Sequence, residues 1–215
     1  MIQGHLPRLI HSGNKLPMGF VMWFVAAFMY LTTNHFPLSE PQLLNMTWVD
    51  QNVPFLPRSV WIYTSEYLYF GLAYASIRSS ENLSRYFFSF LSLQAVSVLI
   101  FMLWPTTYPR DLYPLPETLD SLTFGLFSSL RTTDTPASCC PSLHVSSITL
   151  SALVFWDERR KLFPWFAVWG AAINLSTLTT KQHYLVDVLA GLAMAGFFYW
   201  LFHRKFQVAA PQASR

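Results

Sequence analysis

The chain has 215 residues, of which 53% are hydrophobic and only 12% charged, with a formal net charge of +3. Soluble domains carry about 25% charged residues, so the composition excludes an ordinary soluble domain and points to an integral membrane protein. The small basic excess does not call for a nucleic-acid partner, because lysine and arginine in such chains mark the cytoplasmic side.

Taken in order, the apolar runs predict six spans, roughly Pro17 to Thr33, Ser59 to Ile77, Tyr86 to Pro105, Leu143 to Trp156, Leu162 to Thr180 and Tyr184 to Phe202. Several approach the ~20 residues a spanning helix needs. The fold class expected is all-α, a polytopic six-helix membrane bundle forming a single domain over 1–215. Arg8 and Lys15 precede the first run as they would in a signal peptide. That run passes into a long polar loop without a small-residue cleavage site, which reads as an uncleaved anchor. Glu66 is an acid inside the second span, expected to line a lipid pocket or pack between helices. Between the third and fourth spans, Thr106 to Pro141 is a proline-rich polar loop. Within it, the stretch from Leu119 to Leu130 predicts a short helix at the membrane surface. Cys139 and Cys140 are the only cysteines, and as neighbours they imply no disulfide framework.

With the N-terminus inside, ten of the fourteen lysines and arginines fall on the cytoplasmic side. Only Arg58, Arg110, Arg131 and Lys181 fall outside. The run Asp157-Glu158-Arg159-Arg160-Lys161 makes a cytoplasmic turn.

Two motifs then share the outer face, Pro141-Ser142-Leu143-His144 and Lys181-Gln182-His183-Tyr184-Leu185-Val186-Asp187. Each sets a histidine at the mouth of an apolar run, and Asp187 follows His183 by four residues, on one helical face. Ionisable groups in spanning segments are costly and are functional candidates by default. The pairing suits a histidine prepared for covalent or acid–base work. Three other readings remain open: a structural hydrogen-bonded pair, a metal site using His144, His183 and Asp187 with Cys139 and Cys140 nearby, and a proton relay in a non-catalytic lipid transporter. Ser147 with Ser151, and Gly191 with Ala195, are small residues at four-residue spacing, expected to be close-packing positions.

Pro141-Ser142-Leu143-His144 resembles the second signature of the type 2 phosphatidic acid phosphatase superfamily, Pro-Ser-Gly-His. Ser176, His183 and Asp187 match its third signature: Ser-Arg, five residues, His, three residues, Asp. Leu143 in place of glycine, the His183-Tyr184 pair, and Val53-Pro54-Phe55-Leu56-Pro57 followed by Tyr63 and Ser65 resemble the branch containing inositol-phosphoceramide synthases and their bacterial relatives. Two elements depart from the pattern. Thr177 stands where the third signature has arginine, and the first signature, a lysine seven residues before Arg-Pro, is absent around Arg110.

The resemblance implies a metal-independent reaction with no cofactor. His183 would be the nucleophile that forms a phosphohistidine, Asp187 would orient it, and His144 would be the general acid and base. Arg110 and Lys181 would balance phosphoryl charge, with Ser142, Ser176 and Thr177 completing the phosphate site. The function implied is a lipid-phosphate phosphatase acting on a lipid phosphate or diphosphate at the non-cytoplasmic face. The alternative is a phosphotransferase that passes the phosphoryl headgroup to a hydroxyl acceptor. The partners implied are substrate and membrane lipids, and the setting is a bacterial inner membrane with cytoplasmic termini.

Overall fold

The computed structural model describes residues 4–209. The chain opens with β1 (Gly4–Leu6), then α1 (Lys15–His35), β2 (Gln42–Leu43) and α2 (Trp48–Asn52). Next come α3 (Val60–Thr64), α4 (Glu66–Ser76) and α5 (Ser80–Leu103), followed by β3 (Thr106–Thr107) and α6 (Ser121–Thr133). The last part holds α7 (Leu143–Glu158), α8 (Phe163–Thr179), α9 (Leu185–Trp200) and β4 (Phe206–Val208). The two small sheets are parallel pairs: β1 with β4, which joins the chain's two ends, and β2 with β3.

Among the described residues, three helices are long and apolar enough to cross a membrane: Lys15–His35, Ser80–Leu103, and the run Leu185–Lys205, in which α9 continues into a π-helical turn. Shorter helices stand where the other three spans are expected. The 16 residues of α7 rise about 24 Å, less than the ~30 Å of a hydrocarbon core. The second expected span is broken between α3 and α4. There Ser65 turns its hydroxyl back to the Ile62 carbonyl and accepts a hydrogen bond from the Trp169 indole. A short helix stands in the outer loop where one was expected, α6, started by Asp120, whose carboxylate accepts the Thr123 N–H.

The pattern of burial explains the order of packing. Apolar and small residues occur on every side of α7, and most are buried, among them Leu143, Val145, Ser147, Val154 and Phe155. A helix apolar all round belongs at the centre, and α5, α8 and α9 surround this one. In contrast, α1 turns Phe20, Trp23, Phe24 and Phe28 outward, a surface suited to lipid. The far end of the body is tied by Glu158, whose carboxylate accepts the Arg78 and Ser79 N–H groups and the Asn82 side-chain amide at the start of α5. His144 and Glu158 lie fourteen residues apart on α7, about 21 Å along its axis. The histidine and the charged turn therefore occupy opposite ends.

At the histidine end, α7 and α9 approach closely. A methyl group at Gly191 would lie 2.7 Å from the Ser142 carbonyl oxygen and 3.1 Å from the Val145 Cβ. Backbone cannot yield as a flexible side chain does, so Gly191→Ala should destabilise the detergent-purified protein by about 1–3 kcal/mol, the usual cost of overpacking. Gly196→Ala, on the same helix with nothing within 4 Å, should be neutral or slightly stabilising. Equal thermal unfolding of the two variants would contradict this close approach.

Candidate active site

The chain reverses between α8 and α9 in a turn in which Lys181 adopts the left-handed conformation, φ 55°. Side chains with a Cβ pay for that conformation, and two sets of bonds hold it. The Gln182 and His183 N–H groups donate to the Thr177 carbonyl, and the Lys181 ammonium donates to the Asp50 carbonyl oxygen at 2.8 Å. Asp50 also accepts the Leu185 N–H at 2.7 Å. A capping box with Thr47 places this residue at the start of α2. Burial lowers the Lys181 pKa, an effect the nearby Asp50 carboxylate opposes.

His183 therefore leaves the turn buried, at 5% exposure. Its Nδ1 lies 3.3 Å from the Asp187 carboxylate. The same carboxylate oxygen accepts the Tyr184 N–H at 2.9 Å, which starts α9. The Asp187 backbone carbonyl accepts the Ser142 N–H at 3.0 Å, joining the first turn of α9 to the start of α7. Ser142 caps α7 by accepting the Val145 N–H, and its successor but one is His144. The two imidazole centroids are 5.8 Å apart.

His144 has its own partners, which sequence reasoning missed. Its Nε2 lies 2.8 Å from the Tyr63 hydroxyl and 3.4 Å from a Glu66 carboxylate oxygen. Glu66, expected as a pocket or packing residue, does line a cavity, but it also pairs with this histidine. No local signal could reveal it, because the contact joins residues 78 positions apart in the chain. The His144 Nδ1 is buried without a protein partner.

Arg110 is buried and donates to both the backbone carbonyl and the carboxylate of Asp134. Asp134 also accepts from the Tyr30 hydroxyl, and Asn34 bonds to neighbouring Thr135 through both its amide groups. These contacts tie the end of α1 to the outer loop. Arg131 instead stacks on Phe127 and donates to the Tyr113 carbonyl. Of the expected phosphate-site residues, Arg110 keeps an unpartnered Nε. The Ser176 and Thr177 hydroxyls donate to the Ile173 and Asn174 carbonyls of their own helix, and Ser142 and Lys181 are engaged as described above.

Among the described residues, one group offers ligand atoms close enough to hold a metal ion: Cys139, His183 and Asp187, within 4.8 Å of one another. A sulfur, an imidazole nitrogen and a carboxylate suit zinc, although the expected metal alternative used His144 as its third ligand. Both cysteines are free and buried. Burial and the Asp187 carboxylate push the Cys139 thiol well up and the Cys140 thiol to about 12. The thiolate is the reactive form, so both thiols should resist iodoacetamide in folded protein at pH 8 and label fully once it is unfolded. Rapid labelling of the folded protein at that pH would contradict their burial.

His144, Glu66 and Asp134 border a cavity of about 440 Å³ that continues between Tyr30, Phe70 and Phe90. Two histidines, each beside a carboxylate, thus stand together, and one of them, His144, borders this cavity. No curated protein matches the chain. The sequence profile described as the PAP2 superfamily matches residues 38–201, a stretch that contains both histidine motifs and Glu66. With this match and three helices able to span a bilayer, the chain is a membrane protein belonging to the PAP2 superfamily, whose members are generally phosphatase-type hydrolases.

Proposed function

We propose that the protein is a metal-independent lipid-phosphate phosphatase working through a phosphohistidine, with its site at the non-cytoplasmic face of a six-span bundle in a bacterial inner membrane. The observation that supports this reading is the pairing of two histidines, each beside a carboxylate, with His144 and Glu66 bordering a cavity. The distribution of basic residues supports the orientation. Leu143 in the second signature supports kinship with the inositol-phosphoceramide-synthase branch.

With its Nδ1–H donated to Asp187, His183 presents the Nε2 lone pair. That nitrogen attacks phosphorus, and the bond from phosphorus to the lipid oxygen breaks. His144, as imidazolium, gives its Nδ1 proton to the leaving oxygen, while its Nε2–H is held by Glu66 and Tyr63. Water then delivers a proton to His144 and its oxygen to phosphorus, the nitrogen–phosphorus bond breaks, and inorganic phosphate leaves. The Arg110 guanidinium, with Lys181 and the Ser142, Ser176 and Thr177 region, balances charge on the phosphoryl oxygens. A phosphotransferase would share the first half-reaction and differ only in the acceptor. The burial of His183 favours it to the extent that water is excluded.

The test is phosphate release by detergent-purified protein in EDTA from phosphatidic acid, phosphatidylglycerophosphate and a polyprenyl diphosphate. Wild type should release phosphate, and His183→Ala should release none. His144→Ala should lose about 10²–10⁴-fold. Glu66→Gln, which keeps the shape but not the charge beside His144, should lose about tenfold and shift the pH profile of kcat. No release from any substrate would defeat the hydrolase reading, and paired donor and acceptor lipids would then test transfer.

A further inference from the structure

Cys139 plays no part in the proposed reaction, yet it stands against the pair that does. Its sulfur, a ring nitrogen of His183 and a carboxylate oxygen of Asp187 lie within 4.8 Å of one another. Three segments deliver them: the outer loop ahead of α7, the turn before α9, and the first turn of α9. The loop is fixed at β3, where the Thr106 carbonyl accepts the Cys139 N–H at 3.2 Å and the Thr106 hydroxyl accepts the Cys140 N–H at 2.8 Å. Cys139 packs against Tyr108 and Tyr184, and its thiol makes only long contacts of 3.9 Å to the Pro136 and Gln182 carbonyls.

The Asp187 carboxylate points to a cation independently. Its side chain is fully buried, and one oxygen, Oδ2, serves both the Tyr184 N–H and the His183 ring. The other, Oδ1, is buried without a hydrogen-bond partner. A bare carboxylate oxygen in that position is costly, and a metal ion satisfies it. Zinc stands about 2.0–2.3 Å from sulfur, nitrogen and oxygen ligands, and it accepts three protein ligands with a fourth position open. Around a tetrahedral ion such ligands are about 3.3–3.8 Å apart. A separation of 4.8 Å therefore closes by about 1 Å, shared between two side chains. Thiolate and carboxylate together neutralise the divalent charge, as burial requires. Binding forms a sulfur–zinc bond and releases the thiol proton to the buffer. Sulfur and imidazole select zinc, whereas magnesium and calcium take oxygen ligands.

We propose that Cys139, His183 and Asp187 form an inhibitory zinc site, in which the ion disables the enzyme by engaging its nucleophile. The proposal rests on the phosphohistidine reading above and adds a regulator of that site. The reaction needs a proton on the His183 Nδ1 and a lone pair on Nε2. Zinc on Nε2 takes that lone pair directly. Zinc on Nδ1 displaces the proton held by Asp187, and the neutral ring then carries its proton on Nε2, which ends its nucleophilicity. The route that brings a phosphate to this imidazole also admits an ion.

The test uses detergent-purified protein freed of EDTA, with cobalt(II) as the probe of binding. A cobalt–thiolate bond gives an ultraviolet charge-transfer band that surface histidines do not produce. Wild type should develop the band with about one equivalent of cobalt and lose it to zinc. Cys139→Ala should show no band, and Cys140→Ala should keep it. Zinc should abolish phosphate release by wild type, excess EDTA should restore it, and magnesium should have no effect. Cys139→Ala should keep its basal release and need about 100-fold more zinc, since losing a ligand costs at least as much as losing a group behind one. No band in wild type, a band that survives in Cys139→Ala, or equal zinc inhibition of the two proteins would overturn the proposal while leaving the phosphatase reading intact. The wild-type band needs no variant to fold and no substrate to turn over. A band lost in Cys139→Ala in a protein that cleaves no lipid supports the metal site and defeats the phosphatase reading alone.

Discussion

One buried carboxylate organises the end of the molecule where the histidines meet. Asp187 is fully buried, and a charge in that position is tolerated only with partners. Its side chain accepts the Tyr184 N–H and faces the His183 ring, while its carbonyl accepts the Ser142 N–H. The start of α9, the orientation of one histidine and the docking of α7 therefore share a single residue. Hydrogen bonds to charged groups are worth about 1.5–3 kcal/mol each, so this junction is stiff. The relative placement of His144 and His183 is set by backbone anchored on both sides. Gly191 permits that placement, since only a residue without a Cβ lets α9 lie against the Ser142 carbonyl.

The second histidine is held by a different principle. His144 takes its partners, Tyr63 and Glu66, from across the bundle, so its orientation depends on α3 and α4 packing correctly against α7 and α8. The break between those two short helices gains a structural sense here. It places Tyr63 and Glu66, three residues apart, on either side of the interruption, and the Trp169–Ser65 hydrogen bond fastens it to α8. Arg110 and Asp134 form a third buried pair. Together the site gathers acids and bases in near balance within a body that is otherwise apolar, an arrangement that pairing makes affordable to the fold. Anchoring of the outer loop to α1 through Asn34, Tyr30 and Asp134 closes this end over the cavity.

Much of this was legible from residue spacing. The His183–Asp187 pair is an i,i+4 relation, which helix geometry alone converts into proximity. The small residues at 191 and 195 read correctly as close packing, because that too is a local periodicity. The short helix before Thr133 followed from its bounding proline and its apolar run. Less was legible where contact depends on distant segments. Ser147 and Ser151 were expected to be close-packing positions, yet each also bonds α5 through Gln94 and Tyr86. Lys181 and Arg110 were expected to face phosphate, yet their nearest partners are the Asp50 carbonyl and Asp134. Neither acceptor lies near its cation in sequence.

Composition, periodicity and two short motifs determined that the chain is helical and membrane-embedded, which family it resembles, and which histidines are the candidates for its chemistry. Those properties depend on residues within a turn or two of one another, or on sums over the whole chain. Only the tertiary structure decided what stands beside His144, which cations are already paired, how the second expected span breaks, and that a buried cysteine stands beside the His183–Asp187 pair. Each of those depends on side chains from separate helices meeting in three dimensions. Pattern along one strand of sequence does not encode the rotation and depth at which helices pack.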